Sequence, residues 1–244
     1  MTNGITAILT AYNRPETLLM QIKCLKEQTN PPEEIWIWYN MGTKPKLVIT
    51  DPTIKVINCS HNFKFHGRFA LGLLAKTKYI AIFDDDCLPQ KKWFSNCLST
   101  IEKVNGILGA SGVKLINNNY SPNQKFGWTA NNNVEPVRVD LVGHAWFFKK
   151  EWLKYMWMEE PQSWDNGEDI QFSYLCQKYG NINTFVPPHP PTNKEVWGNN
   201  TEFAVKWGND VNATHLHTSN HYEIRNSLCN IYIKKGWKLA RDGK

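Results

Sequence analysis

The apolar positions of the chain follow two periodicities that alternate along its length. Thr6–Thr10, Glu34–Tyr39 and Tyr79–Phe83 are short apolar runs with a β-branched and aromatic bias, which predicts buried strands. Glu34–Tyr39 is apolar on both alternating faces, as a strand inside a parallel sheet is. Between the first two runs, Leu18, Leu19, Ile22 and Leu25 recur at helical spacing behind Pro15-Glu16, where proline suits a first helical turn. Lys46–Thr50 and Ile54–Asn58 predict two more short strands, and Phe65–Ala75 a helix. A helix then runs from Pro89 to Val104 with Trp93, Phe94, Cys97, Leu98 and Ile101 inward, followed by a strand over Ile107–Leu115.

The second half is less regular. Residues 117–136 are polar and Asn-rich, too long for a tight turn, and predict an excursion or flexible loop. Val137–Phe148 is strand material, and Glu151–Met158 a short helix. Glu168 and Asp169 open a helix that offers Ile170, Phe172, Tyr174 and Leu175 to the core, and Asn181–Val186 is a strand stopped by the proline run at 187–191. Residues 192–214 have weak periodicity and predict a mobile segment. His217–Gly236 predicts a terminal helix with Tyr222, Ile224, Leu228 and Ile231 on one side. Strands alternating with helices, without repeat or linker, predict an α/β fold in one domain over residues 1–244, its central, mainly parallel sheet flanked by helices.

Composition narrows the picture modestly. An apolar fraction of 41% with eleven tryptophans in 244 residues requires a packed globular core. The net charge of +6 suits an anionic small molecule, but the basic residues are dispersed and no nucleic-acid-binding module is present. Six scattered cysteines without a Cys-x-x-Cys pair exclude a zinc-ribbon pattern and a disulfide framework. No basic-then-apolar leader opens the chain and no run reaches membrane-span length, so the expectation is a soluble, reduced, cytoplasmic protein.

The candidate chemistry lies at strand ends, where parallel sheets bind ligands. Tyr79–Phe83 ends in Asp84-Asp85-Asp86, the first strand in Thr10-Ala11-Tyr12-Asn13-Arg14-Pro15, and Glu34–Tyr39 in Asn40. Two unit charges about 4 Å apart repel by roughly 4 kcal/mol at an effective dielectric of about 20. Three carboxylates at the mouth of a buried strand therefore call for a bound cation or a set of donors, unless they form a solvated acidic turn. The pair Glu168-Asp169 is equally compatible with a purely structural role at a helix N-terminus.

Four anchors in order carry a resemblance: Thr10–Pro15, Arg68, the triplet Asp84–Asp86 as a DxD motif, and Glu168-Asp169-Ile170 as a later acidic motif. Together they resemble the GT-A (Rossmann-like) nucleotide-sugar glycosyltransferases, broadly family 2. The spacing, with His221-Tyr-Glu-Ile-Arg225 near the end, is similar to that of the exostosin-like transferases. The resemblance spans about Ile5 to Cys229. It implies a metal-dependent transfer of a sugar from a nucleotide-diphosphate sugar, UDP-sugars first, to a hydroxyl of a glycan or other acceptor. The nucleotide would occupy the part up to about residue 115 and the acceptor the part from 116.

By the same resemblance, Asp86 would ligate Mn²⁺ or Mg²⁺, hard cations that take carboxylate oxygens. Asp84 would reach the ribose or the metal's water shell, and Asp85 the donor sugar. Tyr12 would stack on or flank the base, with Thr10 and Ala11 giving backbone contacts, and Arg14, Asn40, Asn62 and Arg68 would serve the nucleotide and its phosphates. Asp169 would act at the reacting centre, as a base in an inverting enzyme or by stabilising positive charge in a retaining one, with Glu168 assisting and Arg225 near the diphosphate. His215 and His217 are further candidate metal ligands, and Gly143-His144-Ala145-Trp146 resembles an acceptor-side segment. Trp128, Trp164 and Trp197 are candidates for stacking on sugar rings or for core packing. Two other functions fit less well. A sugar-1-phosphate nucleotidyltransferase would carry a Gly-rich basic loop in place of Ala11–Pro15, and a non-catalytic carbohydrate-binding protein would not need both acidic motifs.

Overall fold

A computed structural model describes residues 2–42, 46–128, 131–213, 216 and 220–242. His215 and His217 fall outside the described residues.

Among the described residues the sheet has nine strands. β1 (Thr2–Ala11), β2 (Glu34–Tyr39), β3 (Ile54–Asn58) and β4 (Thr77–Phe83) form its first half, in the order β3-β2-β1-β4 and parallel throughout. The second half contains β5 (Ile107–Leu115), β6 (Asn123–Gly127), β7 (Val137–Val139), β8 (Leu141–Lys149) and β9 (Thr184–Val186). It continues the order as β8-β5-β9-β7, with β6 paired to β5. Apart from the parallel pairing of β5 with β9, its pairings are antiparallel, including that of β8 with β4.

The flanking helices are α1 (Pro15–Lys26), α2 (Gly67–Gly72), α3 (Trp93–Val104), α4 (Leu153–Met156), α5 (Glu168–Gly180), α6 (Thr201–Gly208) and α7 (His221–Lys234). The core beneath them is aromatic: Phe69, Phe83, Phe94, Phe147, Phe148 and Phe172 are fully buried. Phe148 and Phe172 meet edge to face at 4.9 Å, a geometry favoured by the ring quadrupoles.

Several local expectations need correcting. Residues 46–50 form no strand: β3 already takes the edge of β2, and Leu47 and Ile49 instead pack against the core by their side chains. Leu19 is 56% exposed, because at 100° per residue Leu18, Ile22 and Leu25 define the inner face and position 19 turns away from it. In α7 the inner face is Arg225, Leu228, Cys229 and Tyr232, and Tyr222 is half exposed. The polar stretch 117–136 contains β6. Residues 192–214 contain α6, started by Asn200, whose side chain accepts a hydrogen bond from the Phe203 amide at 2.9 Å. The six cysteines are all unpaired, and no helix among the described residues is long and apolar enough to cross a membrane.

Candidate active site

From β1 the chain moves outward through β2 and β3, then returns to β4 on the opposite side of β1. The strand order thus reverses between β1 and β4, and the crevice beyond their carboxyl ends is where such sheets bind ligands. Arg14 follows β1 and Asp84–Asp86 follow β4, so both reach that crevice. β8 runs antiparallel to β4 with Ala145 opposite Phe83, and the Asp84 amide donates to the His144 carbonyl at 2.9 Å. This register carries Gly143, His144 and Trp146 to the same mouth.

A cavity of ≈ 440 Å³ opens there, lined among others by Arg14, Arg68, Asp84, Asp85, Asp86, His144, Glu168, Asp169 and Arg225. The three arginines and five carboxylates expected at the site therefore converge. Thr10, Ala11, Tyr12, Asn40 and Asn62 do not line it. Asn40 is buried and works on the backbone. Its side-chain amide donates to Asn62 Oδ1 at 2.7 Å and to the Lys64 carbonyl at 3.1 Å, and its side-chain oxygen accepts from the Phe63 amide at 2.8 Å. Asn40 and Asn62 thus shape the loop leading into α2, which carries Arg68. The Ala11 carbonyl accepts from the Asn40 amide at 3.0 Å, and Tyr12 is more than one-third exposed. Of the three tryptophans, Trp128 lines the cavity, Trp197 is buried with its indole N–H on the Pro190 carbonyl, and Trp164 is 53% exposed outside it.

The acidic turn is fixed from beneath. Gln21 on α1 donates to the carbonyls of Asp84 and Cys87, both at 2.7 Å, and Asn199 accepts from the Leu88 amide at 2.7 Å. Each carboxylate then meets different partners. Asp84 pairs with Arg68, whose other nitrogen donates to Glu168 at 3.0 Å and whose guanidinium lies 4.6 Å from the Trp146 ring centroid. Asp85 pairs with Arg14, which also makes a two-pronged contact with Asp210 at 2.7 and 3.1 Å. Burial pushes the Asp85 carboxyl up to about 7 despite that pairing. Asp210 shows the reverse, held at about 2 chiefly by its hydrogen bonds from Arg14.

Asp86 has no such paired guanidinium among the described residues. Its Oδ1 is buried without a hydrogen-bond partner there, as is Nδ1 of His144, and the two atoms lie 3.8 Å apart, too far for a hydrogen bond. Burial acts to raise the Asp86 carboxyl, but the His144 ring and then Arg14 outweigh it and hold the group below its ordinary value. Ligand atoms of Asp84, Asp86 and His144 all lie within 4.8 Å of one another. Asp86 and His144 form an ion pair at 3.8 Å when the imidazole is protonated, and these two side chains with the Asp84 carboxylate alongside also fit a divalent cation.

Opposite them, α5 presents Glu168 and Asp169. Its cap is Gly167 at φ +90°, where a Cβ would come within 2.1 Å of Leu228 Cδ1, so both backbone and space require glycine. Asp169 is gripped by Arg225 through two bonds of 3.1 and 2.6 Å. Arg225 also donates to Asn166 at 3.0 Å and lies 4.1 Å from the Tyr120 ring centroid. Burial beside Asp169 pushes the Glu168 carboxyl up to about 7.

Asp210, Asn166, Tyr120 and Lys125 join the site without a local sequence signal. Asp210 sits in a stretch with no periodicity, and Tyr120 in the polar excursion; only tertiary pairing brings them in. His144 was legible as an acceptor-side residue but not as a neighbour of Asp86, because that contact depends on the β4–β8 register.

Acids and guanidinium groups gathered at the switch point of an open α/β sheet fit the GT-A class of nucleotide-sugar transferases, and the comparisons with known proteins agree. Residues 6–157 match the model of glycosyl transferase family 2, and the chain belongs to that family of enzymes. No curated protein sequence matches it significantly. Among solved structures, S. aureus TarS shares the fold with a TM-score of 0.52 and 14% identity, over 77% of this chain and 37% of that one. The TarS 1–349 structure in complex with UDP gives a TM-score of 0.55 at 14% identity, over 76% of this chain and 60% of that one. The chain thus spans less than two thirds of the length of these TarS structures.

Proposed function

We propose that the protein transfers a sugar from a nucleotide-diphosphate sugar, a UDP-sugar first among them, to an acceptor hydroxyl, with a divalent metal ion at Asp84 and Asp86. The observation that carries this reading is the convergence of the Asp84–Asp86 turn, Glu168-Asp169 and the guanidinium groups of Arg14, Arg68 and Arg225 on one cavity. The family and the UDP complex of a structural relative support the donor class.

Asp84 and Asp86 would hold Mn²⁺ or Mg²⁺, which supplies Lewis-acid neutralisation of the diphosphate leaving group. In this reading Arg14 and Arg68 bind the nucleotide and its phosphates, and Asp85 orients the donor sugar while paired to Arg14. Arg225 grips the Asp169 carboxylate and holds it at the reacting centre, placed to stabilise positive charge that develops at the anomeric carbon. Glu168, whose carboxyl is pushed up to about 7, is matched to accepting the acceptor's proton near neutral pH. The walls contributed by residues before about 115 would take the nucleotide, and those from 116 onward the acceptor.

The test is a panel of nucleotide sugars measured by thermal shift with and without Mn²⁺, followed by donor consumption. A ligand that binds only the native state raises its stability, so one donor raising the melting temperature in a metal-dependent way is expected. Asp86→Ala should abolish that metal dependence. A folded protein that no nucleotide or nucleotide sugar stabilises, and that consumes no donor, refutes the proposal.

A further inference from the structure

We infer that the base of the sheet, at the far end from the cavity, is a docking surface for an anionic lipid bilayer. This goes beyond the proposed transfer and does not rest on it. Lysines that are dispersed along the sequence are gathered there by the fold. β4 starts at this end just after Lys76, and the antiparallel pairing of Tyr79 with Lys149 brings the end of β8 beside it. Lys78, Lys150 and Lys154 therefore share one rim with Lys76 and Lys149. Lys149 donates to Asn105 Oδ1 at 2.7 Å, which draws in the end of α3 with Lys103. Lys76, Lys103 and Lys154 are exposed and the other three half-buried.

Two observations separate this rim from ordinary solvated surface. The first is that none of these six lysines makes an ion pair among the described residues, whereas lysines elsewhere do, such as Lys92 with Glu195 and Lys178 with Glu159. The acids nearby are fewer and partly engaged. Glu102 and Glu151 attract Lys78, but Glu102 accepts from the Tyr79 hydroxyl at 3.0 Å, and Glu33 accepts from the Thr2 hydroxyl at 2.6 Å. The second observation is apolar. α2 ends on the same rim in Leu73 and Leu74, which are 39% and 72% exposed. Gly72, packed against Leu153 of α4 and Ile80 of β4, takes the inward position and leaves the two leucines after it outside.

Unpaired ammonium groups are drawn to anionic headgroups, and leucines beside them gain by entering the boundary between headgroups and acyl chains. A nucleic acid offers phosphates but no apolar layer for the leucines, so the combination favours a bilayer. The seven residues of β4, at about 3.3 Å each, set the acidic turn roughly 20 Å from this base. The cavity mouth therefore stays open while the base is docked.

The test is co-sedimentation of the full chain with vesicles of phosphatidylcholine alone, and of phosphatidylcholine and phosphatidylglycerol in equal parts. Binding to the anionic vesicles alone is expected, and it should vanish in about 1 M salt, where charges act only within roughly 3 Å. A lysine near an anionic surface contributes roughly fivefold to partitioning, so Lys76→Glu with Lys150→Glu should weaken binding by about 25-fold or more. Leu73→Ser with Leu74→Ser should weaken it about tenfold and leave its salt dependence in place. Lys125→Glu with Lys206→Glu makes the same change of net charge at the cavity end and should bind as wild type does. Thermal unfolding confirms that each variant is folded. Wild type that ignores anionic vesicles at low salt, or binds both vesicle types equally, overturns the inference. An equal loss in the cavity-end pair also overturns it, because the effect then belongs to net charge and not to the rim. A DNA duplex bound more tightly than the anionic vesicles, through the lysines but not the leucines, overturns the choice of a lipid partner.

Discussion

Removing Arg225 should destabilise the protein by more than its few hydrogen bonds suggest. Its guanidinium and the Asp169 carboxylate are both nearly buried, with side-chain exposures of 7% and 9%. In Arg225→Met the hydrocarbon stem is retained, but the Asp169 carboxylate loses both guanidinium bonds and, among the described residues, keeps the Ile170 amide and the start of α5. Breaking a buried pair from one side costs about 3–5 kcal/mol, because the remaining charge is desolvated without compensation. Loss of the stacking of Arg225 on Tyr120, at 4.1 Å, adds roughly 0.5–2 kcal/mol. The assay is urea unfolding of metal- and nucleotide-free protein, comparing wild type, Arg225→Met, Asp169→Asn and the double variant. The double variant should recover a substantial part of the loss, since replacing both partners removes the orphaned charge. A cost below about 1 kcal/mol for Arg225→Met, or a double variant no better than it, would falsify the view that the pair is a closed electrostatic unit.

Three more positions in and around the cavity carry expected outcomes. Gly167→Ala combines a left-handed backbone with a 2.1 Å clash against Leu228 and should cost about 2–4 kcal/mol. Its thermal unfolding would show this, and a melting temperature equal to wild type would contradict the cap geometry. Glu168 is an acid whose folded value is raised to about 7, so it binds a proton that the unfolded chain releases near its ordinary value. Its contribution is fully present below about pH 4 and is lost as pH climbs through about 7. Wild type should therefore lose stability over that window relative to Glu168→Gln, and parallel pH profiles would refute the assignment. Asn200→Ala removes the cap of α6, costs about 1 kcal/mol, and should raise amide exchange in residues 201–208, which wall the cavity. Unchanged exchange there would mean that α6 is held by packing alone.

The parallel half of the fold was legible because its inner strands β1, β2 and β4, buried on both faces over most of their length, carry apolar runs, and because Pro15 marks α1 clearly. Asp84–Asp86 and Glu168-Asp169 were legible only through their order with Thr10–Pro15 and Arg68, because acids at a helix N-terminus or in a turn also have ordinary structural uses. The antiparallel half was harder to read. β6 is polar and mostly solvent-facing, and β7 is only three residues long, too short to establish a period. α6 was hidden by its length, although Asn200-Thr201 carried a capping signal. Asn40 shows a different limit: a polar residue at a strand end marks the crevice, but whether it faces the ligand or the next loop depends on where that loop returns. His144 and Asp210 enter the site through strand register and chain closure, and neither leaves a local trace in composition or periodicity.

The pairing of Arg14 with Asp210 spans 196 residues of sequence, and Arg225 reaches back to Asp169 from the last long helix. The β-sheet that bears the acidic turn can pair from the first 150 residues or so, all but its short β9 strand and the β7 strand that pairs with β9. The partners that close the cavity arrive only with the final segments. During synthesis the nascent chain therefore presents Arg14 and the acidic turn before Asp210 and Arg225 have been made. Contacts of such separation are formed late and slowly. Affinity for a charged ligand should accordingly appear only once Asp210 and Arg225 have emerged, well after the strands that carry Arg14 and the acidic turn have paired.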